Sequence, residues 1–179
     1  MKNEKTGQVL WLTGLSGAGK STVANQLKTR FDEHGIRSMI LDGDEVRAFF
    51  ENDLGYSEKD RTFNVKRIAF GAKLISDLGV HAIVANIAPY AEVRQFIRNK
   101  IPTYIEIYLD VSLEEARKRD VKGHYGKYDR GELKSVSGLD DRYDVPTSPH
   151  LVLKTAHESV GQSVQKIWNY LEEKKVLAR

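Results

Sequence analysis

Apolar residues gather along this chain in five short runs: Val9 to Thr13, Ser38 to Asp42, His81 to Ile87, Tyr104 to Asp110 and His150 to Leu153. The runs are almost continuously hydrophobic, as Ala82-Ile83-Val84-Ala85 and Ile105 to Leu109 illustrate, which is what strands covered on both faces require. Between them the apolar spacing lengthens to a helical one. Val23, Leu27 and Phe31 recur at every fourth residue, so Thr22 to Phe31 reads as a helix. Val65, Ile68, Ala72 and Ile75 step by three and four after Asp60, and Val160, Val164, Ile167, Trp168 and Leu171 form the inner stripe of a last helix. Ser57-x-x-Asp60 and Ser112-x-x-Glu115 have the spacing of capping boxes. Strands alternating with helices predict an α/β fold, a three-layer doubly wound parallel sheet. Ligands of such sheets bind beyond the carboxyl ends of the strands. That rule gathers the segment after Thr13, Asp42-Gly43-Asp44, Asn86 to Tyr90 and the stretch after Asp110 around one crevice. Asp120 to Pro149 lacks strong periodicity and is rich in Gly, Lys, Asp and Tyr; an irregular segment of this length reads as a functional lid or as disordered, and a mobile lid over about 120–149 is the expectation.

Length and composition narrow the class without naming a function. At 179 residues the chain suits a single domain, 1–179, with a core large enough to need neither disulfide nor structural metal. There is no cysteine, and the polar Met1 to Gly7 lacks the apolar centre of a signal peptide. A cytoplasmic location away from membranes is therefore expected. The net charge is +3, with basic and acidic residues interleaved, so nucleic acid is not an expected partner while small anions are. Five histidines show no metal-ligand spacing.

The chemistry begins directly after the first apolar run. Gly14-Leu15-Ser16-Gly17-Ala18-Gly19-Lys20-Ser21 is a complete G-x-x-x-x-G-K-[ST] phosphate loop, placed between a predicted strand and a predicted helix as its mechanism demands. Glycines let the backbone wrap an anion with positive φ angles and no β-carbon in the way. The amides and the helix N-terminus then face phosphate oxygens. Lys20 adds a mobile charge, and Ser21 offers a hydroxyl to a magnesium ion bridging the β- and γ-phosphates.

Two later segments extend this to an acceptor. Leu41-Asp42-Gly43-Asp44-Glu45-Val46-Arg47 sets two carboxylates at the end of the second strand, where one can accept a hydroxyl proton or hold magnesium and Arg47 can clamp an anion. A plain strand-ending Asp-Gly turn is the alternative. Arg61, Asn64 and Arg67 follow at three-residue steps; with Arg47 they read either as a donor-rich wall for a second anion or as a solvated charged face.

Taken together, the chain resembles the adenylylsulfate (APS) kinases, a family of P-loop nucleotide kinases. The resemblance runs through Trp11-Leu12-Thr13-Gly14-Leu15-Ser16-Gly17, Leu41-Asp42-Gly43-Asp44-x-Val46-Arg47, Leu54-Gly55-Tyr56-Ser57-x-x-Asp60-Arg61-x-x-Asn64-x-x-Arg67, Ala88-Pro89-Tyr90, Arg119-Asp120-Val121-Lys122-Gly123 and Ser137-Gly138-Leu139. It implies transfer of the γ-phosphoryl group of ATP to the ribose 3′-hydroxyl of adenylylsulfate, forming 3′-phosphoadenylylsulfate, with Mg2+ as cofactor. The same resemblance implies Gly14, Ser16, Gly17, Ala18, Gly19, Lys20, Ser21, Thr22, Arg119 and Asp120 on ATP. It places Asp42, Arg47, Tyr56, Arg61, Asn64, Ile87, Ala88, Lys122 and Val136 on the acceptor, Lys20, Asp44 and Lys122 in catalysis, and Ser21 and Asp44 at the metal. Whether the chain forms a homodimer or works beside an ATP sulfurylase is left open.

Several positions depart from the family pattern. Where relatives have Ser-Pro this chain has Ala88-Pro89, so no hydroxyl stands there to carry a phosphoryl group, and direct in-line transfer is expected. Val136 replaces the aromatic that, with Tyr56, sandwiches the acceptor base. The lid reads Lys122-Gly123-His124-Tyr125-Gly126-Lys127-Tyr128, and Asn86 is polar. An acceptor such as cytidine diphosphoramidate is the alternative these changes raise. A nucleotide-dependent regulator without turnover is the alternative from another class.

Overall fold

The computed structural model describes residues 6–177; Met1 to Lys5, part of the polar N-terminal stretch, lie outside the described residues. Five strands form one all-parallel sheet in the order β2-β3-β1-β4-β5, with β1 Val9–Thr13, β2 Ser38–Asp42, β3 His81–Ala85, β4 Tyr104–Leu109 and β5 Leu151–Leu153. Every predicted strand is present. β3 stops at Ala85 and not at Ile87, because the Asn86 side chain turns back to accept the N–H of Ala88 at 3.0 Å and Ala88 takes a φ of 41°. The neighbouring elements are α1 Lys20–Glu33, α2 Gly43–Phe49, α3 Glu58–Asp77, α4 Ala91–Lys100, α5 Leu113–Arg119, α6 His124–Asp129 and α7 Val160–Glu173.

The continuous hydrophobicity of the strands reflects two cores. Leu10, Leu12, Ile83, Ile105 and Ile107 face one side, where Val23, Leu27 and Phe31 of α1 and Val164, Ile167 and Leu171 of α7 cover them. Val9, Trp11, Ala82, Val84 and Tyr104 face the other, under Val65, Ile68 and Ala72 of α3 and Val93 and Ile97 of α4. Alternate residues of one strand thus serve opposite layers. Each fully buried side chain of this size contributes about 1.5 to 3 kcal/mol.

Helix starts follow local chemistry. Ser57, Ser112 and Ser159 cap α3, α5 and α7 through their hydroxyls, and Ser159 completes a capping box with Gln162. α2 is a helix where the sequence reading offered a turn or a carboxylate pair: Asp42 is its N-cap, accepting the N–H of Asp44 at 2.8 Å. At Gly43 a β-carbon would come within 2.3 Å of the Asn86 side-chain amide, so a larger residue there would displace Asn86 from the end of β3. Near the other strand ends a buried guanidinium fixes two loops. Arg94 of α4 donates to the carbonyls of Ala88 at 2.7 Å and Asp144 at 2.6 Å and faces Glu106 at 3.6 Å. Among the described residues no helix is long and apolar enough to cross a membrane.

Candidate active site

The carboxyl ends of the strands open into one cavity of about 600 Å³. At its centre the loop between β1 and α1 curls back on itself. Gly17 has a φ of 77° and stands where a β-carbon would lie 2.7 Å from the Ala116 carbonyl of α5, so close packing and backbone sign both demand glycine. Lys20 Nζ donates to the carbonyls of Gly14 and Leu15, both at 2.8 Å. Burial pushes its ammonium down to about 7, and nearby Lys122 pushes in the same direction against the pull of Asp44 and Asp42. Such a site is short of negative charge, the deficit a phosphate chain supplies.

Ser21 Oγ donates to Asp42 Oδ2 at 2.9 Å while Asp42 Oδ1 caps α2. One carboxylate thereby orients the loop hydroxyl and starts the next helix. Asp44, two residues on, pairs with Lys122 from the segment after α5. Partial burial raises the Asp44 carboxyl, but Lys122, His124 and Lys20 together hold it below its ordinary value.

The acceptor side is built from α2, α3 and the segment between them. Arg47 donates to the carbonyls of Leu54 and Gly55 at 3.1 and 3.0 Å, with its guanidinium 4.7 Å from the centre of the Tyr56 ring. Arg61 donates to the carbonyls of Tyr56 and Ser135, pairs with Asp141 at 3.3 Å and lies 5.3 Å from the same ring. Asn64 is almost fully buried; its Nδ2 reaches the Gly43 carbonyl at 3.5 Å, and its Oδ1 has no partner among the described residues. A buried amide oxygen left without a donor costs about 1 to 3 kcal/mol, so a donor from a bound molecule would be well received there.

A model of the adenylylsulphate kinase family matches residues 6–154. The chain belongs to the adenylylsulphate kinase family. The adenylyl-sulfate kinase of Rippkaea orientalis is 41% identical over 176 residues, covering 98% of this chain and 97% of its relative. That of Halothermothrix orenii is 42% identical over 174 residues, with 97% and 94% covered. Among solved structures, the APS kinase of Mycobacterium tuberculosis in complex with AMPPNP and APS superimposes with a TM-score of 0.89 at 36% identity, covering 93% of this chain and 98% of that one.

In this adenylylsulphate kinase family member the cavity brings together most of the residues singled out by sequence. Ser16, Gly17, Ala18, Gly19, Lys20, Ser21 and Thr22 line it, as do Asp42, Asp44, Arg47, Tyr56, Arg61, Asn64, Ile87, Ala88, Arg119, Lys122 and Val136. Arg119 holds the far end, donating to Gly17 and Thr155 carbonyls and to Glu115. Four positions differ from expectation. Asp120, expected on ATP, is not in the lining: its carboxylate accepts the N–H groups of Tyr125 and Gly126 at 3.1 and 2.9 Å, which starts α6. Arg67 leaves the donor wall for Asp53, at 2.7 and 2.8 Å, because six residues turn a helix about 600°, some 120° away from the face of Arg61. Asp42, expected on the acceptor, stands against Ser21. Gly14 contributes its carbonyl to Lys20 and lies outside the lining.

Sequence reasoning missed the wall after β5. Thr155, Glu158, Ser159 and Ser163 line the cavity, and Glu158 accepts from Ser163 Oγ at 3.1 Å and from Lys166. The signal was present in Ser159-x-x-Gln162, a capping box that puts a helix start at the carboxyl edge of the sheet. His124, Ser135 and Ser137 also line the cavity.

Proposed function

We propose that this protein transfers the γ-phosphoryl group of ATP to the ribose 3′-hydroxyl of adenylylsulfate, producing ADP and 3′-phosphoadenylylsulfate. The observation that carries the reading is the continuity of one cavity from an intact phosphate loop to the wall of Arg47, Arg61 and Asn64. The loop amides and Lys20 cradle the triphosphate and spread its charge as the phosphoryl group moves. Arg47 and Arg61 orient the anionic tail of the acceptor, and the unpartnered Asn64 Oδ1 receives a hydroxyl donor from the acceptor's ribose. Asp44, held ionised beside Lys122, accepts the proton of the attacking hydroxyl. Ala88 offers no nucleophile, so the transfer is direct.

The donor set fits magnesium: Ser21 Oγ and Asp42 supply hard oxygens side by side, and among the described residues no larger acidic or histidine cluster competes for a cation. A magnesium ion that keeps several waters would be held there by Ser21, with Asp42 and Asp44 nearby, and would neutralise charge on the β- and γ-phosphates.

A panel of nucleotide acceptors with ATP, read by mass spectrometry of the products, tests the assignment. A phosphorylated product from adenylylsulfate, carrying the new group at the 3′ position, is expected. A second reading keeps ATP and the chemistry but takes a cytidine diphosphate derivative as acceptor. Its support is Val136, a buried aliphatic side chain lining the same cavity as Tyr56, where a flat base would gain from a second ring. A hundredfold preference for the cytidine compound would move the assignment to it.

A further inference from the structure

Two contacts tie the segment after Lys122 to the phosphate loop, and they leave from consecutive residues of α6. The Tyr125 hydroxyl donates to the Ser16 carbonyl at 3.1 Å, and His124 Nδ1 stands 3.4 Å from Ser16 Oγ. The two side chains are in different surroundings. Tyr125 is buried in the core, whereas His124 is half-buried and lines the cavity together with Lys20, Lys122 and Asp44.

The imidazole is not needed to hold α6 in place. Asp120 takes the N–H groups of Tyr125 and Gly126, Gly123 turns the chain with a φ of 67°, and Tyr125 anchors the helix. Ser16, for its part, is in the middle of a loop whose amides converge on phosphate oxygens. A ring nitrogen within reach of the Ser16 hydroxyl is within reach of the anion that the loop holds. The charged groups facing the imidazole are Asp44 of α2, Asp120 and Lys122 before α6, and Lys127 within it.

We propose that His124 is a further phosphate-contacting residue of the transfer site, an imidazole N–H from the lid that donates to the triphosphate of ATP alongside Lys20 and Lys122. The proposal rests on the reading of the protein as an ATP-dependent phosphotransferase and extends it to a side chain that the acceptor assignment does not use. A packing role, in which the ring only fills the space beside Ser16, is the alternative.

The test compares wild type, His124→Leu and His124→Gln in the full chain, by calorimetric titration with magnesium AMPPNP and by steady-state kinetics with ATP and adenylylsulfate. A hydrogen bond to a charged group corresponds to about tenfold or more in affinity. His124→Leu is therefore expected to bind AMPPNP about tenfold more weakly and to raise KM for ATP in parallel, with KM for adenylylsulfate within about twofold of wild type. His124→Gln keeps a donor and recovers most of the loss. AMPPNP binding by the leucine variant within about twofold of wild type, equal losses in both variants, or a parallel rise of both KM values would overturn the proposal. Wild-type protein that binds AMPPNP but leaves adenylylsulfate unchanged would overturn the acceptor assignment instead, while the calorimetric comparison would still decide the role of His124.

Discussion

In the proposed transfer Lys20 carries most of the charge stabilisation, and its bonds to Gly14 and Leu15 hold its ammonium against the phosphate loop. Replacing it leaves no neighbouring cation with the same reach, so Lys20→Ala is expected to lower kcat by about a thousandfold. Retention of more than about a tenth of wild-type turnover in a coupled ADP assay would contradict that role. The two carboxylates divide the remaining work. Asp44→Asn should keep the fold and ATP binding and lose most of kcat, because an amide accepts no proton. Asp42→Asn should weaken the orientation of Ser21 and the cap of α2, at about 0.5 to 2 kcal/mol for the cap, with a smaller loss of kcat. If the two variants rank the other way in turnover, Asp42 is the base. These residues were legible because a phosphate loop and an Asp-Gly-Asp at a strand end are dense local patterns. The bond between Ser21 and Asp42 was not, since it joins residues whose separation only the sheet closes.

Elements carry the second group of expectations. The stretch 120–149 was read as irregular, yet it contains α6 and buries Tyr125, Val136 and Ser137. Its six-residue helix is too short for apolar periodicity to register, and its start depends on an Asp120 carboxylate that the family resemblance places on ATP. We infer that this stretch acts as a lid closing over nucleotide, which excludes water from the transfer. Limited proteolysis should then cut between Lys122 and Lys134 in the free protein and be suppressed by AMPPNP with adenylylsulfate; equal cutting in both conditions would remove the lid. Val136 belongs to the same stretch. Val136→Phe is expected to restore the second face against the acceptor base and lower KM for adenylylsulfate by about tenfold with little change in kcat. An unchanged or raised KM would show that the aliphatic wall is not what limits base binding.

For the whole molecule, strand order and both cores follow from runs of apolar residues whose alternate members face opposite layers, which is why the five strands and the long helices were readable from the chain. Shorter helices set by a single cap, such as α2, were not. Two strand-end imidazoles add a pH dependence. His81 accepts the Gln8 N–H and His150 accepts the Glu106 N–H, each through Nδ1, and burial is the main cause holding both below the ordinary histidine value. The unfolded chain therefore binds protons first as pH falls below about 6.5, so folding stability is complete above that value and declines beneath it. Urea denaturation at pH 7 and pH 5 should show a lower midpoint at pH 5, and imidazole NMR titrations should place both pKa values under 6.5; values at or above it would remove the explanation.

The Arg94 guanidinium makes the two ends of the 120–149 stretch unequal. It fastens the carbonyl of Asp144 and that of Ala88 to one buried cation backed by Glu106. The upstream end rests on groups that ligands can compete for, the ion pair of Lys122 with Asp44 and the contacts of α6 with Ser16. In the lid inferred above, the moving edge is α6, whose opening also has to draw the buried Tyr125 out of the core, and the fixed post is the downstream end that Arg94 holds beside Ala88. A nucleotide would meet the moving edge first, while the acceptor would enter next to the part that stays still.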